Sequence, residues 1–274
     1  MKISCLPVSL FDEICSGKMD ILDWAREAKT MGYDGIDISM MFLKNKTPYY
    51  IRTLKEGLQE LEMPIAMMTT YPDFTHPDPV QRERELLYLL AEIAFCSQMD
   101  IKYLRILAGQ DHYGVDYKQS VANVIEYFKR SAEYADKFGV ELLYEDHAKP
   151  GAWDIIDFSY DPKIFLEIYE GIKETSIGIN FDTGNISAFG DDPMEILKKL
   201  DVAKIKTIHV TDMKQVGVFD PCVIGQGVTD NPAVFKYIKE RGFDGWLCIE
   251  EASNCGLEGI KKAHDYVQEI WNNA

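Results

Sequence analysis

Eight short apolar runs, separated by stretches with mostly helical spacing, are the feature that most restricts how this chain can fold. The runs fall near 2–8, 35–40, 64–70, 102–108, 140–145, 177–182, 205–210 and 246–250. Strands that alternate with helices pair in parallel, because a helical crossover returns the chain to the sheet in the same direction. Eight such units are what a closed (β/α)8 barrel needs, and 274 residues is close to the ~250 typical of one. Helices are expected over 20–31, 80–98, 118–138, 161–174, 193–200, 231–241 and 256–271. Asp20 offers an N-cap, Gly32 and Gly139 supply stops, and Pro193 and Pro232 sit where a first-turn proline is tolerated. No linker or shift of composition divides the chain, so one α/β barrel domain over 1–274 is expected. Two long loops, Tyr71 to Pro79 and His147 to Pro162, fall where the active-site face of such a barrel would be.

Four of the runs end on metal-ligand residue types: Glu145, Asp182, His209 and Glu250. Their separations of 37, 27 and 41 residues are each about one strand-plus-helix unit. In a parallel barrel all strand ends open onto one face, so three oxygen ligands and one imidazole would converge there. That donor set suits one divalent ion, Mn²⁺ first, with Mg²⁺, Co²⁺ and Zn²⁺ as alternatives. Singly, each residue has a plainer reading. Asp182 could cap the next helix, His209 could be a satisfied core histidine, and one of Glu250 and Glu251 could be merely solvated. Four ligand types ending four successive strands make the metal site the better joint reading.

Composition narrows the function classes. A net charge of −16 disfavours phosphate backbones, and no Lys/Arg cluster suggests a local exception, so no nucleic-acid partner is expected. No apolar stretch nears the ~20 residues of a membrane span, and the N-terminus does not resemble a signal peptide, so a cytoplasmic protein with no membrane partner is expected. The six cysteines contain no Cys-x-x-Cys pair and are expected to be free and mostly buried. Gly225-Gln226-Gly227 lacks the spacing of a dinucleotide fingerprint and reads as a tight loop.

Five segments in order carry a resemblance: Tyr144-Glu145-Asp146-His147, Phe181-Asp182-Thr183-Gly184-Asn185, His209-Val210-Thr211-Asp212-Met213-Lys214, Gly225-Gln226-Gly227, and Gly242 through Glu250. Together they resemble the xylose isomerase-like TIM-barrel superfamily of sugar-phosphate isomerases and epimerases, which includes endonuclease IV-type repair enzymes. The resemblance implies that Glu145, Asp182, His209 and Glu250 are the metal set. By likeness to the ketose 3-epimerases it also implies that Glu145 and Glu250 are a catalytic acid/base pair. One would remove a proton beside the carbonyl and the other return it on the opposite face, while the ion stabilises the enediolate between. Asn185 stands where epimerases often have a substrate-contacting His, and Gln215 where some have an arginine. The repair branch fits worse, because Asp220-Pro221-Cys222 replaces its Asp-x-His motif and only five histidines are present.

Other residues at the expected face carry weaker assignments. His147 and Lys149 are candidates for a substrate hydroxyl or phosphate, against an exposed loop pair. Trp153 would stack on a sugar or anchor its loop. Arg105, unusual within a strand, would bind an oxyanion or make a structural ion pair. Asp212 and Lys214 would hold the His209 ring. His76 and His112 read as surface residues. The expectation is a divalent-metal-dependent isomerase or epimerase of a small ketose or ketose phosphate, possessing a small sugar as its partner and open to homo-oligomers. The rivals are a keto-polyol dehydratase and a barrel that binds sugar or metal without turnover.

Overall fold

The computed structural model describes residues 1–148 and 153–274. Eight strands occur among them: β1 (Lys2–Leu6), β2 (Ile36–Ser39), β3 (Ile65–Thr69), β4 (Tyr103–Ile106), β5 (Glu141–Glu145), β6 (Gly178–Asp182), β7 (Ile205–Val210) and β8 (Trp246–Glu250). The helices are α1 (Phe11–Cys15), α2 (Ile21–Met31), α3 (Pro48–Glu60), α4 (Pro79–Gln98), α5 (Tyr117–Phe138), α6 (Pro162–Ile172), α7 (Asn185–Phe189), α8 (Pro193–Leu197), α9 (Asn231–Glu240) and α10 (Gly256–Asn273). Every ladder is parallel, and the order runs β1-β8-β7-β6-β5-β4-β3-β2. The result is a nearly closed single (β/α)8 barrel.

Between β1 and β2, which share no ladder among the described residues, side chains close the seam. The Ile3 N–H donates to Asp34 Oδ2 at 2.8 Å, and the Asp34 N–H donates to the Ile3 carbonyl at 2.9 Å. Further in, the Ser4 hydroxyl lies 3.0 and 2.9 Å from the two Asp37 oxygens. Met67, Leu143 and Cys248 meet inside the barrel, with Tyr103 and Trp246 packed beside them, so the interior is filled rather than open. A larger apolar layer lies between the strands and the helices.

Local chemistry explains the helix ends. Asp20 and Asp23 form a reciprocal capping box at α2, and Gly32 stops that helix at φ 96°, a left-handed conformation glycine adopts without strain. Gly139 does the same after α5 at φ 68°. The sequence reading assigns no helix between β2 and β3, yet α3 lies there. Thr47 caps it, accepting from the Tyr50 N–H, and Pro48 opens its first turn. Leu54 and Leu58 are buried, with Tyr50, Ile51 and Leu61 packed partly buried beside them, so an apolar period and a cap are both present in the sequence, and the sequence reading overlooks them. Helix α8 ends at Leu197, three residues before the expected end. All six cysteines are free, but Cys15 and Cys255 are exposed, contrary to a mostly buried set. Among the described residues, no helix is long and apolar enough to cross a membrane.

Candidate metal centre

Strands β5, β6 and β8 end on Glu145, Asp182 and Glu250, and His209 is the next-to-last residue of β7. Adjacent register places Asp182 opposite His209 and Glu145 opposite Asn180. One ligand atom from each of Glu145, Asp182, His209 and Glu250 lies within 4.8 Å of the others, and all four residues are buried. The plainer alternative for the final strand does not hold, since neither Glu250 nor Glu251 is solvated.

Each acid is held differently. Asp182 Oδ1 accepts from the Thr211 hydroxyl at 2.6 Å and from the Gly184 and Asn185 N–H groups at 2.8 Å each. A Cβ at Gly184 would collide with the Thr211 hydroxyl, so this corner requires glycine. Asp182 therefore does cap α7 through one oxygen while directing the other, Oδ2, into the cluster. Glu145 Oε1 accepts from Asn180 Nδ2 at 2.6 Å and also contacts His209 Nδ1. Asn180 is itself fixed by the Thr207 hydroxyl, which donates to its Oδ1 at 2.6 Å. Glu145 Oε2 lies 3.2 Å from Arg105 Nε. His209 Nδ1 lies 3.3 Å from Glu250 Oε2, so the ring faces both glutamates.

The electrostatics follow from placing like charges out of water. Burial, then the Glu250 and Glu145 carboxylates, push Asp182 up to about 7. Burial opposes a charge on His209, but the surrounding carboxylates, Glu145 foremost, overcome it and raise the ring to about 9. Burial would also raise Glu145; the Arg105 guanidinium and the His209 ring outweigh it and hold that carboxyl below its ordinary range. Three buried carboxylates outnumber the two cations that face them, Arg105 and the His209 ring, and burying that excess is costly without a metal cation. Asp182 Oδ2 and His209 Nε2 are also buried without a hydrogen-bond partner among the described residues. Donor types, unpaired atoms and excess negative charge all fit a divalent ion.

The remaining candidates disperse. Arg105 is inward-facing and buried: Nη1 donates to the Thr70 carbonyl at 3.2 Å, and the guanidinium lies 4.9 Å from the Tyr71 ring centroid. His147 is buried rather than exposed, with its ring 6.1 Å from that of Trp153 in an edge-on contact. Lys149 lies outside the described residues. Asn185 uses Nδ2 to donate to the Asp146 carbonyl at 2.9 Å. Asp212 and Lys214 do not sit where the sequence reading puts them. Both Asp212 oxygens receive backbone N–H groups of Gly225, Gly227 and Thr229, and exposed Lys214 pairs with Asp220 at 2.7 Å. They tie down the loop after β7, because a short carboxylate ringed by amide donors has no reach left for the imidazole. His112 is half-buried, 2.8 Å from Asp73, and His76 packs against its ring. Asn180, Thr207, Thr211 and Asp146 were missed. A usable signal existed for two of them: Asn180 and Thr207 are polar residues two positions before a ligand, on the same side of an otherwise apolar strand.

A parallel eight-stranded barrel with three carboxylates and an imidazole converging at its strand ends defines a class of barrel in which a metal-ready centre sits on the C-terminal face. Within that class, the chain belongs to the xylose isomerase-like TIM barrel family, whose profile matches residues 25–270. It is 24% identical to an inosose dehydratase of Clostridium botulinum, covering 89% of this chain and 87% of that protein. It is also 24% identical to the L-ribulose-5-phosphate 3-epimerase UlaE of Shigella boydii, covering 96% and 94% respectively. Among solved structures, the IOLI protein with a binding zinc atom superposes with a TM-score of 0.81 at 19% identity, covering 100% of this chain and 99% of that one. An L-ribulose 3-epimerase gives 0.80 at 15% identity, covering 100% and 95%. These superpositions establish the shared fold. The relatives are enzymes of the sugar isomerase and epimerase superfamily, and they include a dehydratase.

Proposed function

We propose that this protein is a divalent-metal-dependent enzyme that moves a proton at the carbon beside the carbonyl of a small ketose or ketose phosphate, so epimerising or isomerising it. The observation that carries this reading is the buried convergence of Glu145, Asp182, His209 and Glu250, with two glutamates against one imidazole. The four residues would hold one ion, Mn²⁺ in first place, with Mg²⁺, Co²⁺ and Zn²⁺ as alternatives. When bound, that ion supplies positive charge to offset the negative charge that develops on the substrate oxygens. Glu145 and Glu250 are the acid/base pair: one takes the proton from carbon, and the other returns one to the opposite face. Arg105, His147 and Trp153 would orient the sugar's oxygens and ring face, with Asn185 bracing the Asp182 corner and Lys149 a further candidate.

A second reading is a dehydratase acting on a keto-polyol. It is favoured by the relatives, which include an inosose dehydratase at 24% identity, and by the engagement of Glu145 on one oxygen by Asn180 and His209 and on the other by Arg105. One carboxylate would then take the proton beside the carbonyl. The C–O bond on the neighbouring carbon would break, and the hydroxyl, gaining a proton, would leave as water.

The test is NMR of the Mg²⁺-loaded protein with free ketoses, ketose phosphates and inososes in D₂O. Deuterium at the carbon beside the carbonyl, with epimer or aldose signals, supports the first reading. Enone or diketone signals support the second. Stoichiometric metal binding with no change in any sugar defeats both.

A further inference from the structure

We propose that Asp157 is a positioning residue for His147, holding its ring with Nδ1 protonated so that Nε2 takes the acceptor role toward a substrate hydroxyl. The inference rests on the proton-transfer reading above only for that last step. His147 and Asp157 are both almost fully buried. Asp157 Oδ1 accepts from the Ser159 N–H at 2.6 Å and from the Ser159 hydroxyl at 2.7 Å, which fixes how the carboxylate is turned. Its other oxygen, Oδ2, lies 3.4 Å from His147 Nδ1. Neither atom has a hydrogen-bond partner among the described residues. Two buried polar atoms left unpaired are each costly, and closing this gap by a few tenths of an ångström satisfies both.

The carboxylate is also anchored from behind. Asp157 forms an antiparallel bridge with Gln110, and the Phe158 N–H donates to the Gly109 carbonyl at 2.8 Å. The β4 loop thus sets the position of Asp157, and Asp157 sets the ring. His147 lies two residues past Glu145, the last residue of β5, which places it at the same C-terminal face of the barrel as the metal cluster. A neutral imidazole has one donor and one acceptor, and a carboxylate at Nδ1 leaves the donor no other place. The ring's electronics are then decided by a residue ten positions away, in the manner of a histidine held by a carboxylate in other catalytic sites.

The experiment is ¹H–¹⁵N NMR of imidazoles in the Mg²⁺-loaded protein, with His147 assigned through His147→Gln, in the native chain and in Asp157→Asn. Asparagine keeps an acceptor for Ser159 but turns an amide donor toward Nδ1. The native protein is expected to show Nδ1–H, and Asp157→Asn is expected to flip His147 to Nε2–H. A native Nε2–H form, or an unchanged tautomer in the variant, overturns the pairing. The native measurement decides this even if the variant fails to fold. On a ketose that the native enzyme turns over, Asp157→Asn should lower kcat about tenfold or more, with KM changed less than about threefold. A native kcat in a variant with the flipped ring overturns the functional step. Lack of turnover by the native enzyme on every sugar would instead reject the proposed reaction, leaving the tautomer result intact.

Discussion

Glu145 and Glu250 are the same residue type at the ends of two strands, and both face the His209 ring. Glu145 is wedged among Asn180, His209 and Arg105, and Glu250 approaches the same imidazole from β8, at 3.3 Å. Glu250→Gln is expected to lower kcat by about 100-fold or more, because an amide cannot exchange the proton. Glu145→Gln should cost a similar factor if both glutamates work, and it should also weaken the fold. Removing that carboxylate leaves Arg105 buried without its anion, a loss of about 3–5 kcal/mol by precedent for broken buried pairs. Urea denaturation of the two variants separates these effects. Near-native turnover by a metal-loaded Glu145→Gln protein would rule out the two-glutamate mechanism. At this scale the ligand types were legible in the sequence because each ends an apolar run. What holds them was not, because the Asn180 contact to Glu145 spans 35 residues and the Thr207 contact to Asn180 spans 27.

Among the elements, the strands were the most legible part, since a strand buried on both faces reads as a mostly apolar run, as in β3 and β8. Helices depended on how clearly their ends are marked. α2 and α5 combine period, N-cap and a glycine stop, while α3 has the period and the Thr47-Pro48 start but is capped at its end by Leu61, with no glycine stop. Loops were the least legible. Asp212 illustrates why: its role depends on Gly225, Gly227 and Thr229 folding back over it, which no local pattern encodes. Asp212→Ala should destabilise the protein by about 1–3 kcal/mol, as three backbone amides, that of Thr229 buried, lose a charged acceptor. Metal affinity, measured by titration calorimetry, should stay within about threefold of native. A large loss of affinity with little change in stability would return Asp212 to the role of orienting His209.

For the molecule as a whole, the charged centre links stability to pH and to metal. His209 is raised from 6.5 to about 9, so its contribution is fully present below pH 6.5 and is lost as pH rises through 9. Asp182 is raised from 3.8 to about 7, so the metal-free fold holds an extra proton in that interval and loses stability as pH climbs through it. The metal-free protein should therefore become less stable from about pH 4 to pH 9. A bound cation takes the place of those protons, so binding should release protons and tighten as pH rises. Scanning calorimetry with and without EDTA tests this. Metal at about 100 times its Kd should add about 2.7 kcal/mol, and the gap in Tm should widen from pH 6 to pH 8.5. A gap that narrows over that range would mean that the cluster is not where the ion binds. The sequence by itself determined the alternation of strands and helices, the barrel that follows from it, and the four residues at the strand ends, because all of these depend on residue type and near-neighbour spacing. Only the tertiary structure decided that Asp182 splits its oxygens between a helix cap and the cluster, that Arg105 faces Glu145, and that Asp212 binds a loop rather than a ring. Those outcomes depend on side chains from distant strands and loops meeting at a few ångströms, a distance that closing the barrel creates.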